Sequence, residues 1–322
     1  IDDIRRLEVW SNFTAKLLLT WVLMNYIYNP ITNSFEGTTQ NTILLGQVMW
    51  HITNKCSLNC SLCFTRKMRS DDTEIDYADI PMYVFLLKKI GVQKIDLSGG
   101  EPLLYSQLPF LVRECAANSI AVTITTSGSG IQQNIDWLTE NWRLFSRVIV
   151  SLDGPENIHN ELRRSNCAYK GARNLLRLLH SFECNNLRIN TVLTKKNIST
   201  SVCDNLNEII TAIQPLEWCI IEPFPINKTE FYDALAIQRK EYEVFFKRSV
   251  FRMEKQNIKV IRRVNDDYGA YWTLYPDGFL YYSHDNQTYD TKILLNEKNY
   301  CRICELVKEN KQHYIKITEA EK

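Results

Sequence analysis

The chain has 322 residues, 45% of them hydrophobic and 23% charged, with a formal charge of +1. That is enough chain for one large α/β domain, or for a main domain with a smaller attachment, and enough apolar residue for a real core. A charge this close to zero gives no sign of a nucleic-acid-binding surface or a strongly acidic partner, and the sequence carries no tandem repeat or low-complexity run.

Residues 1–45 predict an N-terminal helical extension. Leu7, Trp10, Phe13, Leu17, Trp21 and Met24 recur at three- and four-residue spacing, the pattern of an amphipathic helix packed on the protein. The longest apolar stretch, 17–28, is interrupted by Thr20 and Asn25. It is too short to span a bilayer, so no transmembrane segment is expected. Without a small-residue cleavage site after it, it does not read as a signal peptide.

From residue 46 to 225, short β-branched runs alternate with helical patterns. The predicted strands are 47–53, 94–97, 121–125, 147–151, 187–193 and 217–221. Between them helices are predicted over 77–90, 105–118, 131–141, 169–181 and 200–213. Such alternation gives βαβ units and a parallel sheet, either open and doubly wound or rolled into a partial barrel. In both cases the chemistry collects at the carboxyl ends of the strands. After Pro225 the alternation stops. Residues 230–256 read as one long helix, 258–264 as a strand, and 271–275 with 279–283 as a hairpin around Pro276-Asp277-Gly278. Residues 226–322 thus read as a small α+β C-terminal segment leaning on the main domain.

Of the ten cysteines, Cys56, Cys60 and Cys63 lie close together, Cys301 and Cys304 form a C-x-x-C, and the rest are scattered. A secreted disulfide scaffold would be shorter and more evenly stitched, so the expected state is reduced thiols in a cytoplasm. The first three directly follow the first predicted strand. Closely spaced thiolates in one loop can wrap a single iron–sulfur cubane. Three ligands for four irons leave one iron open, the mark of a catalytic rather than a structural centre. A zinc knuckle lacking its fourth ligand and three buried structural cysteines are the other readings of this spacing. The second strand runs into Leu97-Ser98-Gly99-Gly100-Glu101-Pro102. Paired glycines let a ligand approach the backbone, and a carboxylate suits an ammonium group. Alone, the same residues also read as a strand-ending turn.

With both motifs present, residues 46–225 resemble the radical S-adenosylmethionine (SAM) superfamily, whose signature is C-x3-C-x2-C after the first strand of a partial (β/α)6 barrel. The resemblance implies a [4Fe–4S] cluster on Cys56, Cys60 and Cys63, with SAM chelating the open iron and cleaved by one electron to a 5′-deoxyadenosyl radical. It also implies an electron donor such as flavodoxin or ferredoxin. Gly99, Gly100, Glu101 and Pro102 match the family motif that holds the methionine amino group. Ser127, in Thr125-Thr126-Ser127-Gly128, stands where the family usually has Asn. Ser151 and Asp153 match its Ser-x-Asp. Arg163, in a His-x-x-x-Arg stretch from His159, is expected to face the SAM carboxylate, with Arg164 as the substitute. Asn190 and Asn197 match a weaker pattern, and Leu62 replaces a common aromatic while keeping an apolar contact to adenine.

Two further residues have open roles. His51, facing opposite to Trp50, either points toward substrate or is a hydrogen-bonded core histidine. Cys219 and Glu222 fall on opposite faces of the last strand, and Cys219 reads as a buried small apolar residue or as a hydrogen-atom donor. The hairpin followed by Cys301 and Cys304 resembles the family's auxiliary-cluster extensions (SPASM and twitch). Ser283 stands where those usually have a cysteine, so a degenerate extension without an auxiliary cluster is expected. The implied substrate is a ribosomally made peptide, slightly preferred, or a nucleotide or other small molecule, because the chain also resembles viperin-type nucleotide dehydratases. Against the nucleotide, the lysine expected on the sixth strand for a triphosphate is absent from Trp218-Cys-Ile-Ile-Glu-Pro223. A fold that binds the cluster for structure or sensing without turnover is the alternative of another class, and the matches at Glu101, Asp153 and Arg163 argue against it.

Overall fold

The computed structural model describes residues 26–29, 34–37, 45–66, 71–225, 229–265, 271–283 and 291–309. The chain divides into two compact units, Ile1–Thr42 and Ile43–Lys322. In the first, β1 (Tyr26–Asn29) and β2 (Ser34–Gly37) form an antiparallel ladder. The helical positions expected at 7–24 lie outside the described residues.

The second unit is built on one ten-stranded sheet. Its strands are β3 (Gln47–His51), β4 (Lys94–Ser98), β5 (Ala121–Thr126), β6 (Arg147–Ser151), β7 (Leu187–Val192) and β8 (Glu217–Ile221), then β9 (Lys259–Arg263), β10 (Tyr271–Leu274), β11 (Phe279–Ser283) and β12 (Thr291–Leu294). The order is β12-β11-β10-β3-β4-β5-β6-β7-β8-β9. From β10 through β9 every neighbouring pair is parallel, and only the β10–β11 and β11–β12 pairs are antiparallel. The sheet is open, with β9 and β12 as its edges. The α/β class and the mainly parallel sheet match the expected partial barrel.

Connecting the strands are α1 (Ile80–Ile90), α2 (Leu108–Ala117), α3 (Gln132–Glu140), α4 (Glu156–Arg163), α5 (Ala168–Ser181) and α6 (Thr200–Ile213), followed by α7 (Tyr232–Leu235), α8 (Arg239–Met253) and α9 (Tyr300–Glu309). Strand alternation decides which side they cover. Val48 and Trp50, Ile95 and Leu97, Val148 and Val150, Trp218 and Ile220 share one core with buried residues of the helices, such as Leu87, Val112, Leu176, Leu206 and Phe245. Burying side chains of this size stabilises by roughly 1.5–3 kcal/mol each. The intervening residues, among them His51, Ser98, Ile149, Asn190 and Cys219, take the opposite face. Among the described residues no helix is long and apolar enough to cross a membrane.

Three departures from the sequence reading shape the site. Helix α4 was not anticipated, because its few turns carry only His159 and Leu162 as buried residues. The long helix expected over 230–256 is broken: Ala236 is extended, and Gln238 starts α8 with a reciprocal capping box to Glu241. The strand alternation also does not end at Pro225, since β9 lies parallel beside β8 and β10 lies parallel beside β3.

Candidate active site

The cysteine loop is fastened at both ends. Gly100 N–H donates to Thr53 O at 2.6 Å and Glu101 N–H to Lys55 O at 2.8 Å, tying the loop after β4 to the segment that leads into Cys56. Gly99 has φ +134°, and a Cβ there would lie 2.5 Å from Thr53 O. At Gly100 the added Cβ would lie 2.1 Å from Lys55 O. The glycine pair therefore permits a close approach by the chain's own backbone. At the far end, Ser61 N–H donates to Leu162 O at 2.8 Å, and the Thr229 hydroxyl donates to Ser61 O.

No disulfide forms among the ten cysteines. Each thiol of the loop has its own neighbour: Leu58 N–H donates to Cys56 Sγ at 3.4 Å, the Thr65 hydroxyl lies 3.2 Å from Cys63 Sγ, and Arg163 Nη1 donates to Cys60 Sγ at 3.9 Å. Burial pushes the Cys60 thiol up to about 11, against the opposing pull of Arg163. Leu62 is half-buried within the loop. Among the described residues, no group of three or more His, Cys, Asp or Glu converges closely enough to hold a single metal ion. Three thiols in one loop are the donor set that a cubane takes, one cysteine at each of three corners.

Beside the loop lies a buried charge pair. Asp153 Oδ2 accepts from Arg163 Nε at 2.7 Å, and its Oδ1 accepts from Val192 N–H at 3.0 Å. Burial alone would raise the Asp153 carboxyl, but Arg163, His159 and the Val192 amide together outweigh it and hold the group below the usual carboxylate range. The expected SAM-carboxylate ligand, Arg163, thus has two nitrogens engaged by Asp153 and Cys60. Its neighbour Arg164 is left-handed (φ 51°) and lies over the Phe231 ring at 4.9 Å.

Glu101 is 1% exposed. Its carboxylate accepts from Leu103 N–H (3.1 Å), Ser127 N–H (2.8 Å) and the hydroxyls of Thr126 and Ser127. A carboxylate has about four acceptor sites, so the chain itself fills them. This network, long-range in sequence, had no signal beyond the motif. Pro102 begins the short helical turn that follows. Ser127, in the usual Asn position, also shares a hydrogen bond with Ser129 at 2.6 Å.

Ser151, Asn190 and Cys219 are lateral partners in the register of β6, β7 and β8. Asn190 Oδ1 is buried and has no hydrogen-bond partner among the described residues, a polar group left for a ligand. Cys219 is fully buried. Glu222, beyond the strand, is clamped by Arg239 Nη2 at 2.8 Å and Asn265 N–H at 2.8 Å. Asn197 is committed to the backbone, donating to Asp153 O and Val192 O. His51 is 1% exposed, with Nε2 3.1 Å from Met49 Sδ. Its ring meets Tyr275 edge-on at 4.6 Å and Phe64, the residue after Cys63, at 5.9 Å.

His159 makes a measurable contribution. Its Nδ1 accepts from Asp153 N–H at 3.0 Å, so that nitrogen cannot carry a proton. Burial lowers its pKa from 6.5 to about 4, despite the raising effect of Asp153. The unfolded chain therefore binds more protons between those values. The resulting stability is present in full above about pH 6.5 and is lost as pH falls toward about 4. His159→Asn should flatten the acid limb of a Tm–pH profile across that window. An unaltered slope would show that the ring is not held neutral.

Spaced thiols with separate donors, set beside a buried charge pair, thus lie at the carboxyl ends of parallel strands, where an α/β enzyme gathers its chemistry. Residues 50–199 match the family model described as Radical SAM superfamily, a family whose members use a [4Fe–4S] cluster and SAM. It is similar to an S-adenosylmethionine-dependent nucleotide dehydratase of Flammeovirga pacifica, 22% identical over 258 residues, covering 76% of this chain and 85% of that protein. Against two further nucleotide dehydratases it spans 43% and 54% of their length. It is also similar to the sporulation killing factor maturation protein SkfB of Bacillus subtilis, 26% identical over 164 residues, covering 49% of this chain and 37% of that protein. In fold it is similar to Streptococcus suis SuiB, solved with its precursor peptide SuiA, with a TM-score of 0.59 at 17% identity over 73% of this chain and 58% of that one.

Proposed function

We propose that this chain holds its cluster on Cys56, Cys60 and Cys63, binds SAM across the carboxyl ends of β4 to β7, and abstracts hydrogen from a ribosomally made peptide. When bound, the cluster supplies the electron that splits SAM. The observation that carries the cofactor reading is the loop of three thiols, each with its own neighbouring donor or hydroxyl. The chain's residues do the holding: Asn190 presents a buried acceptor, Arg163 a fixed cation, and Ser127 a hydroxyl that can exchange Glu101 for a ligand.

The peptide preference rests on the face opposite the helices. At its base Arg147, Arg188 and Lys259 converge on Glu217, with Arg188 Nε at 2.8 Å and Lys259 Nζ at 3.9 Å. Cations already gathered on a carboxylate make a poor polyphosphate cradle. Higher up on that face β8 itself offers Cys219 and Ile221 and no cation, beside Ile261 and Arg263 of β9. The likeness to nucleotide dehydratases supports a second reading, a nucleotide substrate. The two separate in one assay: reduced, reconstituted protein with SAM, given either short peptides encoded beside its reading frame or nucleoside triphosphates. A SAM-dependent mass change on a peptide is expected. A modified nucleotide with unaltered peptides would overturn the preference.

A further inference from the structure

Among the described residues, the Leu58 amide, the Thr65 hydroxyl and Arg163 are set against the cysteine sulfurs, and of these Arg163 carries a charge. Its placement is fixed along its whole length. The Val192 amide holds Asp153 Oδ1, Asp153 Oδ2 holds Arg163 Nε, and Nη1 lies 3.9 Å from Cys60 Sγ. The backbone makes a parallel tie, Ser61 N–H to Leu162 O, so the last turn of α4 and the cysteine loop cannot separate without breaking it. The Asp153 carboxylate is 4% exposed as a residue, so water does little to screen the pair. The result is an oriented dipole, built from the ends of β6 and β7, with its positive end on one ligand sulfur.

We infer that Arg163 is a positioning residue that sets the reduction potential of the cluster through Cys60, in addition to any contact it makes with SAM. The inference rests on the assignment of the cluster to Cys56, Cys60 and Cys63. Reduction places one further negative charge on the cluster and its thiolates. The electron comes from an external low-potential donor, and no bond forms or breaks in the chain. A fixed cation against a ligand sulfur stabilises the more negative state, so it raises the midpoint potential. This assigns the His-x-x-x-Arg stretch a second task, making electron entry easier before SAM arrives. Arg164, stacked on Phe231 and turned by its left-handed backbone, has no such contact and serves as the matched control.

The test is an anaerobic redox titration of reconstituted protein without SAM, following the electron paramagnetic resonance signal of the reduced cluster. Arg163→Gln should hold a full complement of iron and show a lower midpoint than the unaltered protein, while Arg164→Gln should leave the midpoint in place. Equal midpoints in Arg163→Gln and Arg164→Gln would overturn the inference. If Arg163→Gln loses iron, Arg163→Met, which keeps the length and apolar stem, takes its place under the same criterion. If the unaltered protein binds no cluster, the underlying assignment has failed, an outcome visible in iron content before any potential is read.

Discussion

Gly100→Ala will strip the protein of its cluster. The substitution puts a Cβ 2.1 Å from Lys55 O, a distance no rotamer can relieve because both partners are backbone. Either the loop after β4 or the segment 53–55 must shift. That breaks the bonds from Gly100 N–H to Thr53 O and from Glu101 N–H to Lys55 O. Overpacking of this kind costs on the order of 1–3 kcal/mol, and each backbone bond lost about 1 kcal/mol more. Cys56 follows Lys55 directly, so the displacement lands on the first ligand. Iron content after anaerobic reconstitution should fall to a small fraction of the unaltered protein's, while circular dichroism stays close to native. Full iron retention would show that the glycine pair does not hold the loop.

The second large effect is expected from replacing Cys56, Cys60 and Cys63 by Ala together. The unaltered protein should take up about four irons and four sulfides per chain, and the triple variant almost none. Finding about eight irons in the unaltered protein would instead assign a second cluster, and Cys301 and Cys304 at the start of α9 would be the ligands to test. The expectation of a C-terminal segment without an auxiliary cluster would then fail.

The six parallel strands from β3 to β8 were legible because their β-branched runs are buried on both faces or on one, a pattern that survives without knowing the partner strand. Partnership itself was not legible. Nothing local in Lys259–Arg263 says that it pairs with β8, nor in Tyr271–Leu274 that it lies beside β3, so both were read as part of an appended segment. Short elements also escaped. Helix α4 is polar on most of its surface, yet it delivers His159 and Arg163 to the site. At the site, Cys60 and Glu101 stood out from their motifs, and Asp153 and Arg163 from the family resemblance, but their contacts did not. Asp153 and Val192 are 39 positions apart, and Cys60 and Arg163 are 103 apart. Sequence spacing carries no distance across such intervals. The carboxylate of Glu101 was read as a partner for an ammonium group, and the folded chain supplies four donors of its own.

The central claim is that the three-cysteine loop supports SAM cleavage. It is tested most directly by measuring 5′-deoxyadenosine after the reconstituted, chemically reduced protein is incubated with SAM, alongside the triple cysteine variant. The account predicts 5′-deoxyadenosine from the unaltered protein and none above background from the variant. Equal amounts from both, or none from an unaltered protein carrying its full iron, would contradict it.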